Sequence, residues 1–420
     1  MKFWILCISI VVFIVAAMFA HLQLRKESIK IGLLYSASGT MATSEIPVAN
    51  IVRAAIKELN DNGGILGREV QLLEFDGKSD PLLFAQGAQE LIDQGAISLF
   101  GCWTSASRKE VKKVVEQNNN VLFYPVQYEG LESSPNIVYL GLSANQQINP
   151  TLDFIQSHFG KRVYLVGSEY IYPKAANFYI KELSRLSEFE VIAERYIPLG
   201  SNNFGDLFED ILAKKPHAII NTLNGDSNID FFLGLQRHAV AAKDIPVFSL
   251  SLDESLLAPM QATTHPHAMS GHYAAWGYFN IMNENKTNRF TLFLERYFQE
   301  HKEITDAMFS AYIGVQLFKE SLIKAQEATP QAVLTHIKRK SFYLSGNIYF
   351  IDPKNLHTHR HVMIGKINDR ARFEIVWHSP QIIKPTPYPT FKSQKEWEEC
   401  LEVLTDSLEC NELLRGETDE

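Results

Sequence analysis

From Ile29 onward, short apolar runs rich in β-branched and aromatic residues alternate with stretches whose apolar side chains recur three and four residues apart. That alternation constrains the fold more than any other feature, because strands separated by helices pair in parallel through helical crossovers. Ile29 to Tyr35 reads as a first strand. The turn Ser36-Ala37-Ser38-Gly39-Thr40 follows, then a helix carrying Val48, Ile51, Val52, Ala55 and Leu59 on one face. Gly63-Gly64 stops that helix. Strands are predicted at Val70 to Phe75, Ala96 to Phe100 and Val121 to Tyr124, with helices at Leu82 to Ile92 and Ser105 to Gln117. The rhythm restarts after Asn149-Pro150, with strands at Val163 to Val166, Phe189 to Tyr196, Ala218 to Thr222 and Val247 to Leu250. Two α/β blocks of this kind imply two lobes with a cleft between them.

Residues 286 to 338 read as mostly helical, and Gly346 to Ile351, Met363 to Ile367 and Phe373 to Trp377 as short antiparallel strands. Strands returning so late mean that the chain crosses between the lobes more than once. Lys384-Pro385-Thr386-Pro387-Tyr388-Pro389 is a stiff extended stretch. The acidic tail beyond it reads as a surface helix that frays.

With 420 residues, 46% hydrophobic and 21% charged, the chain can fill two cores of ordinary size. Ten acidic side chains between residues 396 and 420 face Arg415 alone, so the formal charge of −8 sits in the tail and the body is nearly neutral. A balanced body excludes a nucleic-acid footprint. At the other end, Met1-Lys2 precedes an apolar or small run from Phe3 to Ala20, the layout of an export signal with small residues suited to cleavage after Ala17. The rival is an uncleaved anchor, since residues 3–20 sit at the lower limit for spanning a bilayer. Either way the rest of the chain lies outside the cytoplasm. Cys7 has no lipobox around it. Cys400 and Cys410 would be about 15 Å apart on one continuous helix, so pairing them requires that helix to break.

In open α/β sheets, ligands gather at the carboxyl ends of the strands. Here those ends carry Ser36 to Met41, Gly101 to Ser107, Tyr124 to Glu129, Gly167 to Pro173 and Leu223 to Ser227. They are rich in hydroxyls, amides and tyrosines and poor in Lys, Arg and His, which suits a neutral polar ligand better than a phosphate or carboxylate. The candidate ligand contacts are Thr104, Ser105, Tyr124, Gln127, Glu169, Tyr170, Tyr172, Asn224 and Asp226. Tyr124, Tyr128, Tyr170 and Tyr172 read either as core rings with a wet tip or as rings around a small amide. Glu169 is a surface carboxylate or an acceptor for NH₂ groups. No metal and no cofactor is called for. His357, His359 and His361 have a spacing that could bind zinc from one face of a strand, but no acidic or cysteine partner is evident, so they read as solvated imidazoles. Gly63-Gly64-Ile65-Leu66-Gly67 lacks a P-loop lysine.

Cys102 offers a catalytic alternative, because a cysteine ahead of a helix start can ionise and attack. The Cys102-Trp103 pair after a buried strand is similar to the nucleophile setting of nitrilase-type amidases. Those enzymes also need a glutamate base and a lysine, and no matching segments stand upstream. A buried cysteine otherwise behaves as a small hydrophobe.

The segments taken in order resemble the type I periplasmic binding proteins of the Leu/Ile/Val class, and within it the urea and short-chain amide-binding subgroup of ABC transporters. The residues that carry this are Gly39 to Glu45, Gly101-Cys102-Trp103-Thr104-Ser105, Phe123 to Gly130, Ser134 to Ile137, Asn145-Gln146-Gln147, Gly167 to Pro173, Asn221 to Asn228, Gly271 to Trp276 and Pro385 to Pro389. The resemblance covers about residues 29 to 390 and implies an α/β fold of two Rossmann-like lobes with parallel sheets, joined by three crossovers as in a Venus flytrap. The lobes would be 29–144 with 276–345 and 145–275 with 346–390, after an export or anchor segment 1–28 and before the acidic tail 391–420. It further implies a binding protein, not an enzyme, that closes on urea or a short amide and delivers it to ABC permease subunits. Ser105 and Tyr124 would meet the ligand from the first lobe, Tyr170 and Tyr172 from the second. A related cytoplasmic amide sensor typically has Thr and Pro where this chain has Val126-Gln127, which follows the urea-transport pattern. The family often has Glu at the position of Ser310, so urea and a short aliphatic amide both stay open. Two rival functions remain: a membrane-anchored sensor of the same ligand, and a Cys102-dependent amidase.

Overall fold

The computed structural model describes residues 27–261, 267–284, 288–299 and 303–405. Five strands, β1 (Ile29–Tyr35), β2 (Val70–Asp76), β3 (Leu99–Gly101), β4 (Leu122–Tyr124) and β5 (Ile137–Tyr139), form a first sheet in the order β2-β1-β3-β4-β5. All its pairings are parallel. A second sheet of seven strands runs β15-β14-β10-β9-β8-β6-β7. Its parallel part is β6 (Arg162–Ser168), β7 (Glu190–Ile197), β8 (Ala218–Thr222), β9 (Val247–Ser249) and β10 (Tyr273–Trp276). An antiparallel edge comes from β14 (Met363–Ile367) and β15 (Phe373–His378). A small antiparallel sheet joins β11 (Ser341–Leu344), β12 (Asn347–Ile351) and β13 (Thr358–His359). The doubled α/β rhythm thus becomes two separate sheets. Strands β5, β10 and β11 were not anticipated as strands: at three or four residues they are too short for an alternating pattern to stand out.

The first core holds Ile31 and Leu33 of β1, Phe100 and Phe123 of the sheet centre, and Phe290, Phe309 and Tyr312 from the helices Arg289–Tyr297 and Asp306–Ala325. Two further clusters cover the two faces of the second sheet, one around Val166, Ile219 and Phe231, the other around Leu165, Ile220 and Phe248. Tyr349, Ile351 and Leu356 belong to the first core. The lobe boundary expected at 345/346 therefore falls inside the β11–β12 hairpin, and the chain crosses after Leu356. The hairpin packs by its buried face, a tertiary preference that the local sequence does not announce.

Three crossings join the lobes, and they meet at Arg360, which is fully buried. Its Nη1 donates to Leu140 O of the first crossing at 2.8 Å and to Ser310 Oγ at 2.9 Å, while Asp306 faces the guanidinium as its ion pair. On the second crossing, a Cβ at Gly277 would stand 2.7 Å from Arg360 Nη2, so only glycine leaves room for this approach. His357 accepts a place in the same region, stacked on Tyr139 at 4.0 Å and hydrogen-bonded to the Tyr128 hydroxyl. Burial pushes its imidazole down to about 4. His359 pairs with Asp352 at 3.0 Å and His361 Nδ1 lies 3.1 Å from Ser379 Oγ. The three histidines are partners of protein groups in the hinge and are not free imidazoles in water.

The tail departs from expectation. The helix Gln394–Thr405 docks on the second lobe: Trp397 is fully buried among Phe178, Tyr179 and Phe391, and its Nε1–H donates to Pro389 O at 2.8 Å. Its acidic residues concealed one aromatic anchor. Cys400, also buried, is disulfide-bonded; Cys410 lies outside the described residues. So do residues 3–20, the expected export or anchor segment, and among the described residues no helix is long and apolar enough to cross a membrane.

Candidate ligand-binding cleft

The cleft is built where strand ends of both sheets converge. At the end of β3 the backbone turns at Gly101, whose φ is +127° and where a Cβ would lie 1.8 Å from Leu34 O; only glycine can make that turn. The helix Ser105–Gln117 then starts with Thr104 as its N-cap, the Thr104 side chain accepting from Ser107 N–H at 3.1 Å. This leaves the Ser105 side chain at the first turn, beside Tyr124 from the end of β4. From the second lobe, Tyr170 occupies the N-cap position of the helix Ile171–Leu186 in an extended conformation, and Tyr172 lies in its first turn. Asn224 follows β8, with its backbone N–H donating to Ser168 Oγ at 3.0 Å.

Trp103, Ser105, Tyr124, Val126, Gln127, Tyr170, Tyr172 and Asn224 together line a small, narrow cavity. Every one of them is neutral. Gln127 Nε2 reaches across to Leu250 O of the second lobe at 3.2 Å, so the lobes stand close around the space. The Tyr170 and Tyr172 rings lie 6.3 Å apart. Burial raises the phenols of Tyr124, Tyr170 and Tyr172, so at neutral pH each keeps its O–H.

Behind the first-lobe side lies a buried ionic cluster. Arg108 is fully enclosed; its Nη2 donates to Glu129 Oε1 at 2.9 Å and its Nε to Glu132 Oε1 at 3.0 Å. Nη1 donates to Ser105 Oγ at 3.1 Å and to Tyr124 Oη at 3.4 Å. Ser105 in turn donates to Glu129 Oε2 at 2.5 Å. Burial alone would raise the Glu132 carboxyl, but the charges of Arg108 and Lys109 pull it down to about 2. The guanidinium also lies over the Tyr128 ring, 4.4 Å from its centroid. Lone buried charges are costly, whereas these two carboxylates share one guanidinium and are hydrogen-bonded throughout.

Six of the nine sequence-predicted contacts come together in this cavity: Ser105, Tyr124, Gln127, Tyr170, Tyr172 and Asn224. Thr104 turns its hydroxyl back onto Ser107. Glu169 and Asp226 are exposed and do not line the cavity. Trp103 and Val126 line it without having been singled out. Arg108 and Glu129 were missed as contributors as well; the signal for Arg108 would have been a charged side chain on the face of its helix that carries Val111 and Val115, while Glu129 lies in the irregular segment after β4 and has no such signal. Ser310 faces Arg360 and lies outside the cavity lining.

Cys102 is placed against catalysis. Its side chain joins Leu33, Glu45, Phe100 and Trp103 around a separate, small and mostly apolar cavity. Burial first and the Glu45 carboxyl second push its thiol up, which removes the thiolate that a nucleophile requires.

A family model for the periplasmic binding protein domain matches residues 29–394. The Leu/Ile/Val-binding protein BraC3 of Rhizobium johnstonii is 26% identical over 213 residues, 48% of this chain and 56% of that protein. A protein named limonene hydroxylase from Geobacillus stearothermophilus is 29% identical over 122 residues, 29% of this chain and 22% of that protein. The chain therefore spans about a fifth to a half of the curated relatives it matches. Among solved structures, a Rhodopseudomonas palustris solute-binding protein in complex with 4-hydroxybenzoate superposes with a TM-score of 0.75 at 17% identity, covering 84% of this chain and 97% of that one. LivJ of Streptococcus pneumoniae in complex with isoleucine gives 0.70 at 18% identity, covering 85% and 100%. These likenesses show the fold.

Proposed function

The chain belongs to the periplasmic binding protein domain family, and from that premise we propose that it captures urea or a short-chain aliphatic amide outside the cytoplasm and hands it to the permease of an ABC importer. The observation that carries this reading is the neutrality of the cavity lining. Two structural relatives are described with isoleucine and with 4-hydroxybenzoate, ligands that bring a carboxylate and, for isoleucine, an ammonium group. Desolvating such charges requires opposite charges or several strong donors and acceptors aimed at them. Here Ser105, Tyr124, Gln127, Tyr170, Tyr172 and Asn224 supply hydroxyls and amides, the chemistry that pairs with a small C=O and its NH₂ groups. The first-turn N–H of Ser105, a cavity-lining residue, has no intrahelical acceptor and suits the carbonyl end.

Capture follows from having contacts on both lobes. A ligand held by Ser105 on one side and Tyr170 on the other binds the closed form better than the open one, and so shifts the lobes toward closure. On this reading no bond is made or broken, and the raised, buried thiol of Cys102 argues against that cysteine as a nucleophile. Thermal unfolding with urea, acetamide, isoleucine or 4-hydroxybenzoate at millimolar concentration tests the reading. Acetamide or low urea should raise the melting temperature through binding to the folded state. A rise with isoleucine or 4-hydroxybenzoate alone would overturn it.

A further inference from the structure

We infer that Glu129 is a positioning residue that fixes the direction of the hydrogen bonds in the cleft and thereby selects ligands offering several N–H groups. This inference rests on the proposed reading of the cleft as a urea or amide site, and deepens it.

Glu129 is fully buried, is not one of the residues lining the cavity, and is hydrogen-bonded to that lining through Ser105. Its Oε1 is occupied by Arg108 at 2.9 Å, and its Oε2 receives the Ser105 hydroxyl at 2.5 Å. With both Glu129 oxygens accepting, the single Ser105 O–H points at Glu129. Arg108 Nη1 takes one Ser105 lone pair at 3.1 Å. One lone pair is left for the cleft, and no donor. The same inventory repeats around the cavity. Tyr124 spends its O–H on Trp103 O at 2.6 Å. Gln127 directs one of its two amide N–H bonds at Leu250 O at 3.2 Å, and Asn224 one at Thr222 O at 3.1 Å, which leaves on each an acceptor oxygen beside a single remaining N–H. Ser105 and Tyr124 thus present lone pairs and no donor, fixed by Glu129, Arg108 and Trp103 O, while Gln127 and Asn224 each present an oxygen whose amide is anchored through one N–H.

A ligand matching this pattern carries N–H groups at more than one position around a single carbonyl. Urea has four N–H bonds, acetamide two, and acetate none, so affinity should fall in that order. Glu129→Gln separates this polarity from the packing, since it is isosteric and still leaves Arg108 paired with Glu132. Arg108 Nη2 would hold the new amide oxygen, turning its NH₂ toward Ser105. Ser105 would then accept from behind and release its own proton toward the cleft, converting an acceptor into a donor.

The test is a double-mutant cycle by calorimetric titration of the full chain with urea and acetamide, using wild type, Glu129→Gln, Ser105→Ala and the double variant. In the wild type, acetamide should bind about tenfold more weakly than urea. Glu129→Gln should weaken urea about tenfold and bring the two ligands to similar affinity. In the Ser105→Ala background it should add less than about a twofold change. Should Glu129→Gln not fold, Glu129→Asp keeps the charge against Arg108 while withdrawing the oxygen from Ser105, and the same non-additivity is expected. Additive losses, or an unchanged urea-to-acetamide ratio, would overturn the role of Glu129 while leaving the site reading intact. A wild type that binds neither ligand would overturn both.

Discussion

The two sides of the cleft are built on different principles. On the first lobe, Ser105 and Tyr124 stand on a buried cluster in which Arg108 holds two carboxylates, so their hydrogen bonds have a direction before any ligand arrives. On the second lobe, Tyr170 and Tyr172 stand at a helix start, with the Tyr172 hydroxyl 3.5 Å from Leu250 O, a distance too long for a firm hydrogen bond. One side is preorganised by charge, and on the proposed reading the other would be carried in by closure. On that reading the division would suit a clamp, with the first-lobe side reading the ligand and the two tyrosines completing its enclosure.

The largest effect should come from breaking the cluster itself. Arg108→Met would strand Glu129 and Glu132, which are both buried, and should cost about 3–5 kcal/mol of stability, measured by guanidinium denaturation. A variant as stable as wild type would show that the first-lobe side owes little to charge. Next in size is a carboxyl of the same lobe that lacks a cation. Burial, partly offset by the Ser36 hydrogen bonds, raises Glu45 to about 8. Its folded form therefore binds the proton more tightly than the unfolded chain, and stability should decline as pH rises from the ordinary carboxylate range to about 8, by at most about 1.4 kcal/mol per unit. Glu45→Gln should flatten that slope. Glu132 runs the opposite way: held near 2, its contribution is present above the ordinary range and lost as pH falls toward 2. Denaturation curves at pH 5, 7 and 9 for wild type and Glu45→Gln check the sign.

Smaller effects compare the two sides directly. Ser105→Ala should weaken urea about tenfold, because it leaves Arg108 and Glu129 with an unmet partner as well as removing the contact. Tyr170→Phe deletes a hydroxyl with no fixed acceptor behind it, and should weaken urea only about two- to fivefold. Equal losses on calorimetric titration would contradict the asymmetry.

Much of this arrangement is legible in the sequence because strands and helices are local patterns. The eight predicted strands of the two blocks appear in their sheets, and the rule that ligands sit at strand ends singles out Ser105, Tyr124 and Asn224 without any structure. What stays hidden depends on distant neighbours. Arg108 meets Glu129 from 21 residues away, and in the sequence both look like solvated surface charges. The same blindness made Trp397 part of a fraying tail, when it is a buried anchor of the second lobe, and hid the pairing of Tyr349 with Phe342. Glu169 and Asp226 err in the other direction: they are near the strand ends in sequence, but the turns face them outward.

The central claim is that a neutral, acceptor-rich cleft selects a small ligand bearing N–H groups. Calorimetric titration of the purified chain with urea and with isoleucine tests it most directly. The account predicts saturable binding of urea with a stoichiometry of about one, lost or weakened in Ser105→Ala, and no heat of binding from isoleucine. Saturable binding of isoleucine with none of urea would contradict it.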